Sequence, residues 1–128
     1  QRVEILTGDY KETLQHAENP ALFYFDPPYK PLSNTSSFNS YAKDEFGDYE
    51  QIRLRDFCKK LDTLDHKWIL SNSDVNGKDM TDTFFDDIYK EFNNGVTLSG
   101  QALRCNLLFF KEKNKRIYTS ILNAKLAA

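Results

Sequence analysis

Ala21-Leu22-Phe23-Tyr24-Phe25-Asp26-Pro27-Pro28-Tyr29 holds the main clue to the fold. Its first five residues form an unbroken apolar run of strand length, rich in aromatics, which predicts a strand buried on both faces. The strand must stop at the two prolines, since neither ring nitrogen can donate to a sheet ladder. Asp26 is therefore delivered at the carboxyl end of the strand, with Tyr29 three residues beyond it. Plain turn chemistry also accounts for the run, with Asp26 as a turn residue and Tyr29 packed on an edge.

On the amino-terminal side, Val3 to Leu6 is a short apolar-rich run that predicts a strand, closed by the turn formers Gly8-Asp9. Tyr10 to Glu18 predicts a helix with Tyr10, Leu14 and Ala17 on one face, Asp9 as its N-cap and Asn19-Pro20 as its stop. On the other side, residues 30–48 show no period and are rich in Ser, Asn, Gly and aromatics. A loop of that length inside a domain is commonly a binding loop. From Asp48 to Leu64, the recurrence of Leu54, Phe57, Cys58, Leu61 and Leu64 at threes and fours predicts an amphipathic helix. Trp68-Ile69-Leu70 predicts a short buried strand that ends in Ser71-Asn72-Ser73-Asp74, and Asp79 to Phe85 predicts a short helix ahead of Ile88 to Phe92. Strands alternating with helices imply an α/β layer with a mostly parallel sheet flanked by helices, whose ligands lie beyond the carboxyl ends of the strands. After Gly95, Val96-Thr97-Leu98 and Leu107-Leu108-Phe109-Phe110 are weaker strand candidates, and Lys111, Lys113, Lys115 and Arg116 lie in what reads as a solvated turn.

The 128 residues suit one domain, and a net charge of -2 excludes an overall basic field of the kind that grips nucleic acid. Cys58 and Cys105 lie far apart without metal-type spacing, which fits a reducing cytoplasm, two structural thiols and no metal. No apolar stretch approaches the roughly 20 residues that span a bilayer. No glycine-rich loop in a strand-to-helix setting is present, since Gly8, Gly47, Gly77, Gly95 and Gly100 are isolated.

Asp26-Pro27-Pro28-Tyr29 has the parts needed to activate the exocyclic amine of a nucleic-acid base. Such an amine is a poor nucleophile, because its lone pair is delocalised into the ring, and oxygen acceptors on its hydrogens help to localise it. The Asp26 carboxylate can accept one hydrogen and the Pro27 carbonyl the other. Pro27 and Pro28 stiffen the backbone so that both acceptors converge, and Tyr29 offers a ring on which an extruded base can stack.

Three segments, Leu22-Phe23-Tyr24-Phe25-Asp26-Pro27-Pro28-Tyr29, Thr35-Ser36-Ser37-Phe38-Asn39-Ser40-Tyr41 and Leu70-Ser71-Asn72-Ser73-Asp74, resemble the Dam-like, D12 class of site-specific DNA adenine-N6 methyltransferases. Gly8-Asp9-Tyr10 extends the resemblance, which covers about residues 3–75. It implies a partial Rossmann-like fold dependent on S-adenosylmethionine, with Asp26, Pro27, Pro28 and Tyr29 as catalytic residues. By the same resemblance, Asp9, Tyr10 and Asp26 bind the cofactor, and Phe38, Tyr41, Ser71 and Asn72 surround the target base. Asp9 as a helix cap, and Ser71 and Asn72 as turn caps, remain alternatives.

The family also carries a Phe-x-Gly-x-Gly cofactor loop and a DNA target-recognition region upstream of the part matched here. Residues 1–128 are therefore expected to form the C-terminal part of the catalytic domain, inactive alone. Double-stranded DNA would be the partner of the parent protein, of restriction-modification or Dam type, in a bacterial or phage cytoplasm without membrane attachment. Self-association of the isolated piece is also open. An RNA or cytosine-N4 amino methyltransferase, and a non-catalytic remnant, are the alternative functions. Arg104 and Asn106 receive no role.

Overall fold

The computed structural model describes residues 2–31, 46–96 and 101–106. A 3₁₀ helix over Tyr10–His16 precedes strand β1, Leu22–Phe25, which stops before Asp26 as the prolines require. Helix α1 covers Asp48–Thr63, strand β2 Lys67–Ser73, helix α2 Val75–Lys78 and helix α3 Phe84–Ile88. Strands β3, Asn93–Val96, and β4, Gln101–Cys105, follow.

The described strands form a mixed sheet in the order β1-β2-β4-β3. β1 runs parallel to β2, while β4 runs antiparallel to both β2 and β3. It follows that β1, β2 and β3 share a direction that β4 alone opposes. The sheet is mixed rather than mostly parallel as expected, since two of the three described pairings are antiparallel. Connection length accounts for the difference. Parallel neighbours need a long crossover, which residues 26–66 with α1 provide, whereas the short span from β3 to β4 suits an antiparallel pair.

Alternation along β2 directs Trp68, Leu70 and Asn72 to the α1 face and Ile69, Ser71 and Ser73 to the other. α1 buries Gln51, Leu54, Phe57, Cys58 and Leu61 on one face, against Trp68 and Leu70 of β2 and Phe23 and Phe25 of β1. Val75, Phe85 and Tyr89 complete this core. Asn106, past the end of β4, accepts from the Trp68 N–H at 2.8 Å and donates to the His66 carbonyl at 2.8 Å, fastening β4 to the start of β2. Arg104 lies buried over the ring of Phe85, 4.7 Å from its centroid.

Several expectations fail in detail, the first being that β1 is buried on both faces: Phe23 and Phe25 pack on the core, whereas Leu22 and Tyr24 on the other face are exposed. Val3 to Leu6 is not a strand; Val3 and Ile5 are 86% and 88% exposed, and a strand without a neighbouring edge has nothing to pair with. β2 does not end at Leu70 but continues through Ser73, because β4 pairs with Ser71, Asn72 and Ser73 and their side chains find partners. The helix expected over Asp79 to Phe85 is replaced by α2 and α3. Asp79 accepts from the Thr81 N–H at 2.9 Å and Asp82 from the Phe84 N–H at 3.2 Å, side-chain turns that compete with helix. Ile88 closes α3 and residues 89–92 form turns rather than a further strand. Residues 97–100 and 107–128, including the Leu107 to Phe110 candidate and the basic run to Arg116, lie outside the described residues.

Leu61 is fully buried and Leu64, on the same helix end, is 41% exposed. Leu61→Ala should cost about 2–5 kcal/mol in urea unfolding and Leu64→Ala under about 1 kcal/mol. Equal losses would contradict this packing.

Candidate active site

Phe25 stands opposite Leu70 in the parallel β1–β2 pair, and continuing that register by one residue brings Asp26 beside Ser71. The Ser71 hydroxyl donates to Asp26 Oδ1 at 2.9 Å and accepts from the Tyr29 hydroxyl at 3.1 Å and the Tyr24 hydroxyl at 3.3 Å. One donor and two lone pairs are all a serine hydroxyl has, so Ser71 is fully used. It is buried, while Asp26 and Tyr29 are exposed above it. A hidden hydroxyl therefore anchors an accessible carboxylate and an accessible ring. Partial burial raises the Tyr29 pKa above the usual phenol range, with the bond to Ser71 opposing the shift and the negative charge of Asp26 adding to it.

A second set of bonds, running through Asn72 and Gln51 on the α1 face and joined by Ser73, holds the backbone after Pro28. Gln51 Nε2 donates to the Pro28 carbonyl at 3.0 Å, and Asn72 Nδ2 donates to Gln51 Oε1 at 3.2 Å. Asn72 Oδ1 accepts from the Lys30 N–H at 3.0 Å and the Ser73 N–H at 2.8 Å, and Ser73 Oγ donates to the Lys30 carbonyl at 2.6 Å. The Lys30 ammonium pairs with Asp48 at 2.6 Å and lies 4.6 Å from the Phe84 ring centroid. Asn72, expected at the base pocket, is thus fully buried with its amide committed to Gln51 and to backbone N–H groups. Gln51 belongs to none of the motifs that the sequence displays. Its signal was position: it stands three residues before Leu54, a polar side chain continuing the apolar stripe of α1.

Asp9 caps the 3₁₀ helix, accepting from the Lys11 N–H at 2.9 Å, and pairs with Arg53 Nη2 at 2.7 Å. Arg53 also reaches Glu50 at 3.2 Å and lies 5.3 Å from the Tyr10 ring centroid. The backbone bond to Lys11 and then the guanidinium of Arg53 lower the Asp9 pKa. Tyr10 turns its ring inward, at 5.5 Å from Phe57 and 6.4 Å from Phe25, and burial pushes its hydroxyl pKa up to about 12. Gly8, with φ at +145°, adopts a backbone conformation that side chains disfavour just before Asp9. The first turns of α1 therefore tie down both candidate segments, through Gln51 and Asp48 on one side and Arg53 on the other. Phe38 and Tyr41 lie outside the described residues. Among the described residues no cluster of three or more His, Cys, Asp or Glu has metal-binding proximity, and no helix is long and apolar enough to cross a membrane.

An accessible carboxylate fixed beside an accessible aromatic ring, just beyond the carboxyl end of a strand in a mixed α/β sheet, has the acceptor capacity and the flat apolar face to hold a planar amine. The chain belongs to the D12 class N6 adenine-specific DNA methyltransferases, whose family model matches residues 1–98. It is 41% identical over 103 residues to a type II methyltransferase of Methanocaldococcus jannaschii, covering 80% of this chain and 34% of that protein. A type II methyltransferase of Lactococcus lactis subsp. cremoris is 38% identical over 91 residues, 71% of this chain and 30% of the relative. A DNA adenine methylase of Vibrio cholerae is 40% identical over 60 residues, 47% of this chain and 22% of its own length. The chain thus spans about a third or less of the length of each of these relatives.

The depressed pKa of Asp9 gives its bonds a definite pH window. They contribute stability above its ordinary value of 3.8, and this is lost as pH falls through the lower folded value. Carboxyl NMR titration should place Asp9 below 3.8, and Arg53→Met should raise it only partly, because the Lys11 N–H bond, the largest single cause, remains. Full return to the ordinary value in Arg53→Met would contradict this order of causes.

Proposed function

We propose that the parent of this chain transfers a methyl group from S-adenosylmethionine to N6 of an adenine flipped out of double-stranded DNA. Residues 1–128 are the C-terminal part of its catalytic domain, built on a Rossmann-like sheet and working in the cytoplasm. The bond of Ser71 to Asp26 carries this reading, because it fixes an exposed carboxylate where a strand-end acceptor is needed.

Asp26 accepts one hydrogen of the adenine amine through its carboxylate and the Pro27 carbonyl accepts the other, while Pro28 keeps the backbone rigid between acceptors and ring. The amine's lone pair is thereby encouraged toward the donor. Tyr29 stacks on the extruded base, an interaction worth roughly 1–3 kcal/mol per base. Phe38 and Tyr41 wall the base pocket, with Ser71 beneath it, while Asn72 supports the loop from the opposite face of the sheet.

Asp9 fits the donor's hydroxyl and amine groups on the chemistry present. Its carboxylate is partly exposed, charged at neutral pH and held in place by Lys11 and Arg53, with acceptor capacity left over. Asp9 and the Tyr10 N–H would hold the donor's adenosine, and Asp26 would be a further contact. The bound donor supplies an electrophilic methyl on a sulfonium. Exposed Val3, Ile5, Leu22 and Tyr24 support self-association of the isolated chain.

In the full-length parent, Asp26→Ala should lower methyl transfer by about a thousandfold or more while changing donor affinity by less than about threefold. Nucleoside analysis of the product should show N6-methyladenine. N4-methylcytosine, or an active Asp26→Ala enzyme, would overturn the proposal.

A further inference from the structure

Gln51 takes no part in the reaction described above, yet it bonds to the loop that carries it. The direction of each bond around it is forced. The Lys30 N–H can only donate, so Asn72 must turn Oδ1 toward it. Asn72 Nδ2 then faces Gln51 and selects Oε1, which leaves Gln51 Nε2 for the Pro28 carbonyl, a group that can only accept. The chain of bonds begins at Lys30 and ends at Pro28, on either side of Tyr29.

We propose that Gln51 is a positioning residue that closes a polar circuit around Tyr29, through Asn72, and so sets the placement of the Tyr29 ring. Gln51 and Asn72 are 1% and 0% exposed, so water does not compete for these bonds. The circuit fixes the backbone end of Tyr29, and Ser71 fixes its hydroxyl end from the opposite face of the sheet. A ring held at both ends has its long axis fixed, so that it stays beside Asp26, where a base stacked on it would lie in line with a donor. A mere fastener between α1 and β2 would need only the Gln51–Asn72 bond. The two further bonds, to Pro28 and Lys30, bring the loop under control.

This inference rests on Tyr29 being the stacking face of the proposed active site. Gln51→Met, of similar length and helix-compatible, removes the circuit in the full-length parent. Its kcat should fall by about tenfold or more, with KM for duplex DNA and for donor changed less than about threefold. Fluorescence of 2-aminopurine at the target position should rise as stacking on Tyr29 is lost. Leu61→Ala loosens the same helix without touching the loop and should keep kcat within about threefold despite a lower melting temperature.

The circuit is overturned if Gln51→Met keeps its kcat, or if Leu61→Ala loses kcat to the same extent. If Asp26→Ala is inactive while Gln51→Met is unimpaired, the circuit fails and the proposed site stands; an active Asp26→Ala removes both. Should Gln51→Met not fold, the wild-type parent still decides the matter by hydrogen exchange. The Lys30 amide, which belongs to no helix or strand, should exchange slowly, and exchange at the rate of an unstructured peptide would overturn the proposal.

Discussion

The parallel register of β1 on β2 is the constraint on which the rest of this molecule depends. With Phe25 opposite Leu70, the next residues along the two strands, Asp26 and Ser71, meet on the same face. A slip of one residue in β2 would exchange its faces, turning Ser71 toward α1 and Asn72 toward Asp26. The hydroxyl bonded to the carboxylate and the amide bonded to the loop would trade places, and neither set of bonds could form. Apolar burial enforces the register, because Trp68 and Leu70 must face Leu54, Phe57, Cys58 and Leu61.

That register lets one short polar segment serve both faces of the sheet. Ser71 holds Asp26 and Tyr29 on one face, and Asn72 with Gln51 holds the Pro28 and Lys30 backbone on the other. Buried polar groups are costly unless bonded, and here serine and amide capacities are taken up by neighbours. α1 extends the same support to Asp9 through Arg53, so one helix aligns the two segments proposed to hold the base and the donor.

The parts of this arrangement that were legible in the sequence are those set by local chemistry. The run Ala21 to Phe25, stopped by Pro27-Pro28, gave β1 and the position of Asp26, and the apolar spacing from Leu54 to Leu61 gave α1. The missed parts depend on partners distant in sequence. Ser71, Asn72 and Ser73 look like a loop until β4 pairs with them, and Val3 to Leu6 looks like a strand although it meets no described edge. The antiparallel insertion of β4 between β2 and β3 leaves no local trace. Gln51 reads as a surface residue unless its place on the apolar stripe is taken seriously. Asn72 was read as a base contact because its position was right, but its orientation follows from alternation along β2.

The central claim, that an adenine amine is held beyond the carboxyl end of β1, is tested most directly by a structure of the full-length parent with duplex DNA and an unreactive donor analogue. The account predicts the target adenine extruded, its N6 within hydrogen-bonding distance of the Asp26 carboxylate and the Pro27 carbonyl, and its ring against Tyr29. An extruded base held elsewhere, away from Asp26 and Tyr29, would contradict it.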